Sequence, residues 1–459
     1  MAYSPSTERT PTMKLAFAIL VAAALTIPLF AVYFLVYDRQ TQSETARASI
    51  AEGWGGPQTI AGPVLVIPYQ TEVTETVTEN DRPTTRTSQV WRELHVAPDI
   101  ADITSSLAPE RRRRSIYEAV VYSAKTSGTA RFALPTDLTR FRTTVDALAY
   151  DRAELRFGLS DARGLYGPPP VVVIDGVRRT LRPGKGLAST GGSGFVAPFD
   201  ASALRSRPLR ATFAFDFRGN ASLTLAPLAG DTRWTVTSPW AHPSFQGGFL
   251  PAAHSIDAKG FTARWRVGNL ALGKALVEDG TPSPVISEKP QPGSTVATHE
   301  AGVTLISPVD LYAQVNRSVK YGFLFIGFTF MAFLMFDVVG GVRVSAIEYL
   351  LVGAGLVLFF VMLLAFAEVI GFAAAYLVAG SAIVGLLTTY SAAVLGSRRR
   401  AGFIAALLAA LYGVLYVLLS LEEYSLLIGS VLLFAALASI MYLTRNIEWG
   451  GRDGEAQAS

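Results

Sequence analysis

The sequence predicts a membrane α-helical bundle of six transmembrane helices with an inserted, mainly-β, sandwich-like extracytoplasmic domain. Three observations predict it. Five apolar runs follow one another between Tyr321 and Leu443, each near the roughly 20 residues that a bilayer-spanning helix needs. A sixth apolar run, Leu15–Tyr37, lies near the N-terminus. Between it and the other five, short β-branched stretches alternate with turn-forming pairs, the pattern of an all-β domain.

The five runs are Tyr321–Phe336, Tyr349–Ala367, Ile370–Leu395, Gly402–Leu421 and Tyr424–Leu443. The breaks between them are charged or contain glycine: Asp337 to Glu348, Glu368, Arg398–Arg400 and Glu422-Glu423. Lipid offers backbone groups no hydrogen-bond partner, so segments this apolar form helices. Leu15–Tyr37 exceeds the roughly 7–15 apolar residues of a signal sequence. The triplet Ala46-Arg47-Ala48 lies too far downstream to be its cleavage site, so the run reads as an uncleaved anchor.

Charge sets the expected orientation. All but eight of the 40 Lys and Arg lie between Asp38 and Lys320. The eight are Arg9, Lys14, Arg343, Arg398, Arg399, Arg400, Arg445 and Arg452. With the N-terminus in the cytoplasm all eight fall on the cytoplasmic side, as the positive-inside rule requires; Arg317 and Lys320, outside and next to a span, are the only dissent. The expected division is a cytoplasmic tail over 1–14, a first span over 15–37, a periplasmic domain over 38–320, a five-helix bundle over 321–444 and a cytoplasmic tail over 445–459. The expected location is a bacterial inner membrane. The net charge of +4 is too weak and scattered to indicate a nucleic-acid partner. No cysteine is present, so the outer domain folds without disulfides and no thiol chemistry is available.

Within the inserted segment, Gln40–Glu52 can continue as helix up to Gly53. Val64–Tyr69, Glu72–Thr78, Ser88–Val96, Ile116–Tyr122, Thr232–Thr237 and Phe261–Val267 read as strands. Arg111–Arg114 reads as a solvated loop or helix end, with anionic headgroups or a cell-wall polymer as the ligand if it binds anything. Val171–Ile174, Asp175-Gly176 and Val177–Leu181 form the best hairpin signal, because Asp-Gly tolerates the positive φ of a type I′ turn. Leu209–Phe217, Gly219-Asn220 and Ala221–Leu225 repeat that pattern. Gly184–Gly194 reads as a flexible loop and Asp279–Gly302, with four prolines, as an irregular arm.

The search for chemistry is mostly negative. The four histidines, His95, His242, His254 and His299, have no metal-ligand spacing beyond a His242–His254 meeting across a turn. Gly184-Lys185-Gly186 fails the phosphate-loop pattern, and Gly191-Gly192-Ser193-Gly194-Phe195 fails the nucleophile elbow at its last position. No cofactor is expected. None of the apolar runs carries an ionisable residue in its interior, which speaks against a pump or coupled transporter. Glu368, in the tight turn between two spans, is the candidate functional carboxylate there. The small-residue rows Ala401, Ala405, Ala409, Gly413 and Gly371, Ala375, Ala379 offer faces for close helix packing.

Two stretches carry a more specific signal. One runs from Trp54-Gly55-Gly56-Pro57 to Leu65; the other is Ser238-Pro239-Trp240-Ala241-His242-Pro243-Ser244-Phe245, continuing Gly248-Phe249-Leu250-Pro251. With Arg317–Phe325 and the Glu368 turn, the chain resembles the CreD family of bacterial inner-membrane proteins from about Lys14 to Trp449. It departs from that resemblance at Ser345-Ala346, where a His-Pro-like pair is expected. The resemblance implies roles in cell-envelope integrity, colicin tolerance and the response to β-lactam stress under a two-component sensor kinase, and it transfers no reaction. The expected function is therefore non-enzymatic support of the envelope or of its stress response through the periplasmic β domain. The expected partners are the lipid bilayer and an envelope protein or cell-wall polymer. A lipid or small-molecule transporter and a membrane-anchored envelope-modifying enzyme are the rival readings. Trp240, His242, Pro243, Phe245 and Glu368 are the candidate functional residues.

Overall fold

The computed structural model describes residues 11–79, 82–135, 137–280, 299–305, 311–338 and 344–420, with scattered positions between 427 and 445. The chain divides into two compact units, Met1–Thr45 with Val309–Ser459, and Ala46–Pro308. Helix α1 (Pro11–Glu52) extends the first apolar run at both ends and continues to the residue before Gly53.

The second unit is built from β1 (Gln58–Glu79), β2 (Arg82–Val96), β3 (Ile100–Arg114), β4 (Tyr117–Phe132), β5 (Ala153–Leu159), β6 (Val171–Ile174), β7 (Val177–Arg178), β8 (Arg182–Pro183), β9 (Gly194–Phe199), β10 (Leu209–Asn220), β11 (Ser222–Ala226), β12 (Asp231–Ser238), β13 (Pro243–Gly247), β14 (Ala253–Asp257), β15 (Gly260–Gly268), the short helix α2 (Asn269–Leu272), β16 (Val277–Asp279) and β17 (Ala301–Leu305). One sheet has the order β13-β17-β11-β1-β5-β9-β8, with β2 also on β1 and β16 on β2. The other has the order β14-β15-β12-β3-β4-β10-β6-β7. Most neighbours are antiparallel; β1 with β11 and β3 with β12 are parallel.

One large hydrophobic core fills the space between the inner faces, and a smaller cluster gathers Ala61, Val64, Val66, Leu187 and Ala226. The strand period of two places Leu65, Ile67 and Tyr69 of β1 and Leu155 and Phe157 of β5 in the large core, with Phe213, Phe215 and Phe217 of β10 and Trp234 of β12. Phe157 stacks on Phe195 at 5.0 Å and meets Phe213 of the other sheet edge-on at 5.3 Å. These contacts make a two-layer sandwich. The buried indole of Trp234 donates to Ser105 Oγ at 3.1 Å.

Several expectations need correction. Arg111–Arg114 is the last part of β3 and pairs with Tyr117–Val120 of β4, rather than forming a loop or helix end. Leu209–Phe217 and Ala221–Leu225 are not a hairpin. Ala221 takes φ 53° and turns the chain from one sheet to the other, so β10 pairs with β4 and β6 while β11 pairs with β1 and β17. The Asp-Gly hairpin is present, with positive φ at both Asp175 and Gly176, but its second strand stops at Arg178. Gly184–Gly194 contains a short 3-10 turn at Ala188–Thr190 and closes on itself through Gly186 N donating to Gly192 O at 2.8 Å. The proline-rich residues 281–298 lie outside the described residues.

The first unit contains α3 (Leu311–Lys320), α4 (Gly322–Val338), α5 (Ala346–Ile370), α6 (Phe372–Val394) and α7 (Arg398–Ser420). Among the described residues five helical segments are long and apolar enough to cross a membrane. The expected sixth span, Tyr424–Leu443, lies largely outside the described residues. The departure at Ser345 has a local use: its hydroxyl caps α5 by accepting from Glu348 N, and Glu348 accepts in return from Ser345 N, a capping box. Ala375 and Ala379 are fully buried, as the small-residue row of α6 predicts. The row on α7 is packed only at its start: Ala401 is buried, but Ala409 and Gly413 are exposed, while the larger Ile404, Leu408, Leu411 and Leu415 turn inward. Tyr412 joins them against Phe359 at 4.5 Å and Phe325 at 5.0 Å.

Candidate functional site

The Trp54 and Trp240 stretches converge on the basic end of β3. Immediately after α1, the Trp54 ring lies between two guanidinium groups, Arg112 of β3 at 3.9 Å and Arg218 of β10 at 4.1 Å. Its indole nitrogen donates to the Tyr122 carbonyl of β4 at 3.2 Å. Arg218 also covers the ring of Tyr166 at 4.5 Å, which extends the ladder to four members. An electron-rich ring face attracts a cation, and Trp attracts it best. One residue before Arg112, Arg111 sits 5.5 Å from the Trp240 ring. The Trp54 and Trp240 stretches, far apart in sequence, therefore meet on neighbouring arginines.

Gln58 anchors the start of β1 beneath this ladder. Its amide donates to Arg218 O at 2.9 Å and to Asp161 O at 3.2 Å. Its carbonyl accepts from Ser160 Oγ at 3.1 Å and Asp161 N at 3.2 Å, so the buried side chain is satisfied at both ends. The Asp161 carboxylate is held below the usual range chiefly by Arg163. The outer arginines have acidic neighbours: Glu118 takes Arg111 at 3.2 Å and Arg113 at 3.1 Å, and Glu110 takes Arg112 at 3.3 Å. Arg114 donates to Ser49 Oγ and Arg47 Nε to Glu118 O, which fastens the last turns of α1 to the β3–β4 hairpin.

The sequence-predicted residues divide. Trp240 joins the ladder's edge. Pro243 opens β13, and Phe245 pairs with Val303 of β17. Phe245 packs against Phe261 at 6.0 Å, Trp265 at 5.7 Å and His254 at 5.4 Å, so it covers one end of the core. His242 is exposed, and His254 meets the Phe245 ring at a tilt of 56°. Among the described residues no group of His, Asp and Glu could hold a metal ion. Glu368, in the other unit, accepts from the buried Tyr312 hydroxyl at 3.1 Å.

Sequence reading missed three features. Arg112 and Arg218 were not legible as partners of Trp54, because nothing in the spacing links residues so distant. Asp337 is at a span end as expected, the penultimate residue of α4, but it is buried at 3% exposure. Arg156 of β5 is held between Glu93, with two bonds of 2.7 Å, and Glu154 at 3.1 Å. Glu93 is kept well below the ordinary carboxylate range, first by His95 and then by Arg156. A groove of about 730 Å³ beside it is lined by Arg92, Arg140 and Arg142 and by Glu72, Glu278 and Asp279, a balanced set of charges.

A family model described as Inner membrane protein CreD matches residues 10–450. The chain belongs to the CreD family. Inner membrane protein CreD of Escherichia coli strain K12 is 30% identical over 433 residues, which cover 93% of this chain and 90% of that protein. This CreD-family chain is a membrane-embedded inner-membrane protein, and both tryptophan stretches, the arginine ladder and Glu368 lie within the matched residues.

Proposed function

We propose that this protein supports cell-envelope integrity, or the response to envelope stress, from the inner membrane through contacts made by its β unit, without catalysing a reaction. Both termini are cytoplasmic in this reading and residues 38–320 are periplasmic, as the charge distribution favours. The observation that carries it is the fate of the two tryptophan stretches. Their aromatic side chains are spent on guanidinium faces and on the end of the core, which builds a rigid basic surface rather than a reaction pocket. The test is survival under envelope stress of a strain lacking the chain, complemented with the full chain or with Trp54→Ala/Trp240→Ala. Restored survival with the first and not the second supports the reading, and equal rescue by both overturns it. Reporters at Gly186 and Arg399 test the orientation: the first is periplasmic and the second cytoplasmic.

One observation favours a second reading. Asp337, at the end of α4, is buried at 3% exposure, and a buried carboxylate next to a membrane-spanning segment is a feature of membrane transporters. An Asp337→Asn variant that fails to support the envelope while folding and inserting normally would favour transport.

A further inference from the structure

We propose that the tip of the β3–β4 hairpin, with Arg111–Arg114 and Ile116, docks onto anionic phospholipid headgroups of the membrane in which the chain is anchored. This deepens the contact reading above, on which it rests, by naming the partner.

Charge complementarity and tethering carry the inference. Four successive arginines occupy the strand end, and the side chain of Arg113 is 77% exposed. Arg47 adds a fifth positive charge beside them. The acidic groups facing the cluster are Glu110 and Glu118, so positive charge remains in excess. These ion pairs are at the surface, where such pairs are weak and give way to a competing anion at little cost. The two inner guanidiniums are held in place on the Trp240 and Trp54 rings, so little side-chain freedom is lost when a phosphate binds their outer edges. Arginine is suited to phosphate because its planar fork of donors matches the oxygens. At the turn itself Ile116 is 48% exposed, an apolar residue placed among cations as interfacial segments have it. Sequence also ties the cluster to the membrane anchor. The hairpin is bonded to Arg47 and Ser49, and Arg47 follows Tyr37, the last residue of the first apolar run, by ten positions in sequence.

The chain has no cysteine, so a single introduced thiol reports one position. Full-length Ile116→Cys is placed in lipid nanodiscs of phosphatidylcholine, with or without phosphatidylglycerol, and its reaction with an uncharged, membrane-impermeant maleimide is timed. Val177→Cys, exposed at the β6–β7 turn, is the control. The expected result is slower labelling at position 116 with phosphatidylglycerol and an unchanged rate at 177. Each arginine near an anionic surface strengthens association about fivefold, so adding Arg113→Gln/Arg114→Gln weakens the contact about 25-fold and restores labelling. Raising salt to about 1 M does the same with the arginines intact, because the screening length falls to about 3 Å. Equal rates at 116 in both lipids overturn the proposal. So does equal slowing at 116 and 177, or slowing that neither salt nor the arginine substitutions relieve. Failure here with full rescue of envelope survival by Arg113→Gln/Arg114→Gln removes the lipid contact alone. Failure of the Trp54/Trp240 complementation test removes the broader reading.

Discussion

Replacing Trp54 with alanine tests the arginine ladder most directly. The ring loses two guanidinium contacts, at 3.9 and 4.1 Å, each contributing about 0.5–1 kcal/mol at a part-exposed site. It also loses the indole hydrogen bond to the Tyr122 carbonyl, a net contribution of about 1 kcal/mol. With the packing of a half-buried ring, the expected destabilisation of the β unit is about 3 kcal/mol. For a unit of this size each kcal/mol moves the midpoint by about 2–4 °C, so the fall is about 6–12 °C. The assay is thermal unfolding of the full chain in detergent, followed at the β-sheet circular-dichroism band. Trp54→Phe keeps a ring and loses the donor, and is expected to cost about 1 kcal/mol. The decisive comparison is a cycle. In an Arg112→Gln/Arg218→Gln background, Trp54→Ala is expected to cost only about half as much as in the native chain. An equal cost in both backgrounds would show that the guanidinium contacts contribute nothing.

Other outcomes follow from the same structure. Glu93→Gln, which leaves the buried Arg156 guanidinium with Glu154 alone, is expected to destabilise the β unit by about 2 kcal/mol at neutral pH. Because the folded protein holds the Glu93 carboxyl below its unfolded value, that stabilisation is full above pH of about 4.3 and is lost as pH falls; acid unfolding curves are therefore expected to be shallower for the variant. Gly194→Ala would put a Cβ 1.9 Å from the Phe157 carbonyl oxygen at a φ of +153°, and is expected to cost more than about 3 kcal/mol and abolish recovery of folded protein. Tyr312→Phe removes the hydroxyl that bonds Glu368, whereas Glu368→Gln keeps an acceptor there; the first is expected to lower the bundle's thermal midpoint, and the second to leave both midpoint and envelope survival unchanged. A loss of survival in Glu368→Gln at an unchanged midpoint would instead give the carboxylate a functional role.

How much of this was legible in the sequence depended on whether the cause was local. The bundle was, because length and apolarity alone force a helix in lipid. The Asp175-Gly176 hairpin was, because its turn geometry is set by two adjacent residues. Gly219-Asn220 offered the same composition and misled, since the chain's direction there depends on which sheet receives β11, and its partners β1 and β17 are remote. Arg111–Arg114 misled in the opposite sense. Four cations suggest solvent, and all four are exposed, but they belong to a strand, because Tyr117–Val120 supplies pairing, with Trp54 and Trp240 supplying ring faces. The α7 small-residue row shows the limit of periodicity: it identified a face where close approach is possible, but the larger side chains one step around the helix took the interior.

The parallel pairing of β1 with β11 bears on how the protein is made. Gln58 must wait for Leu223, and β11 in turn receives Val303 of β17, so the central sheet closes only after nearly all of the inserted segment has been synthesised. Until then Gln58–Ala61 of β1 presents an unpaired edge, and non-local pairing of this kind is slow and exposed to aggregation. A chain truncated before Ala301 is therefore expected to give a lower yield of folded β unit.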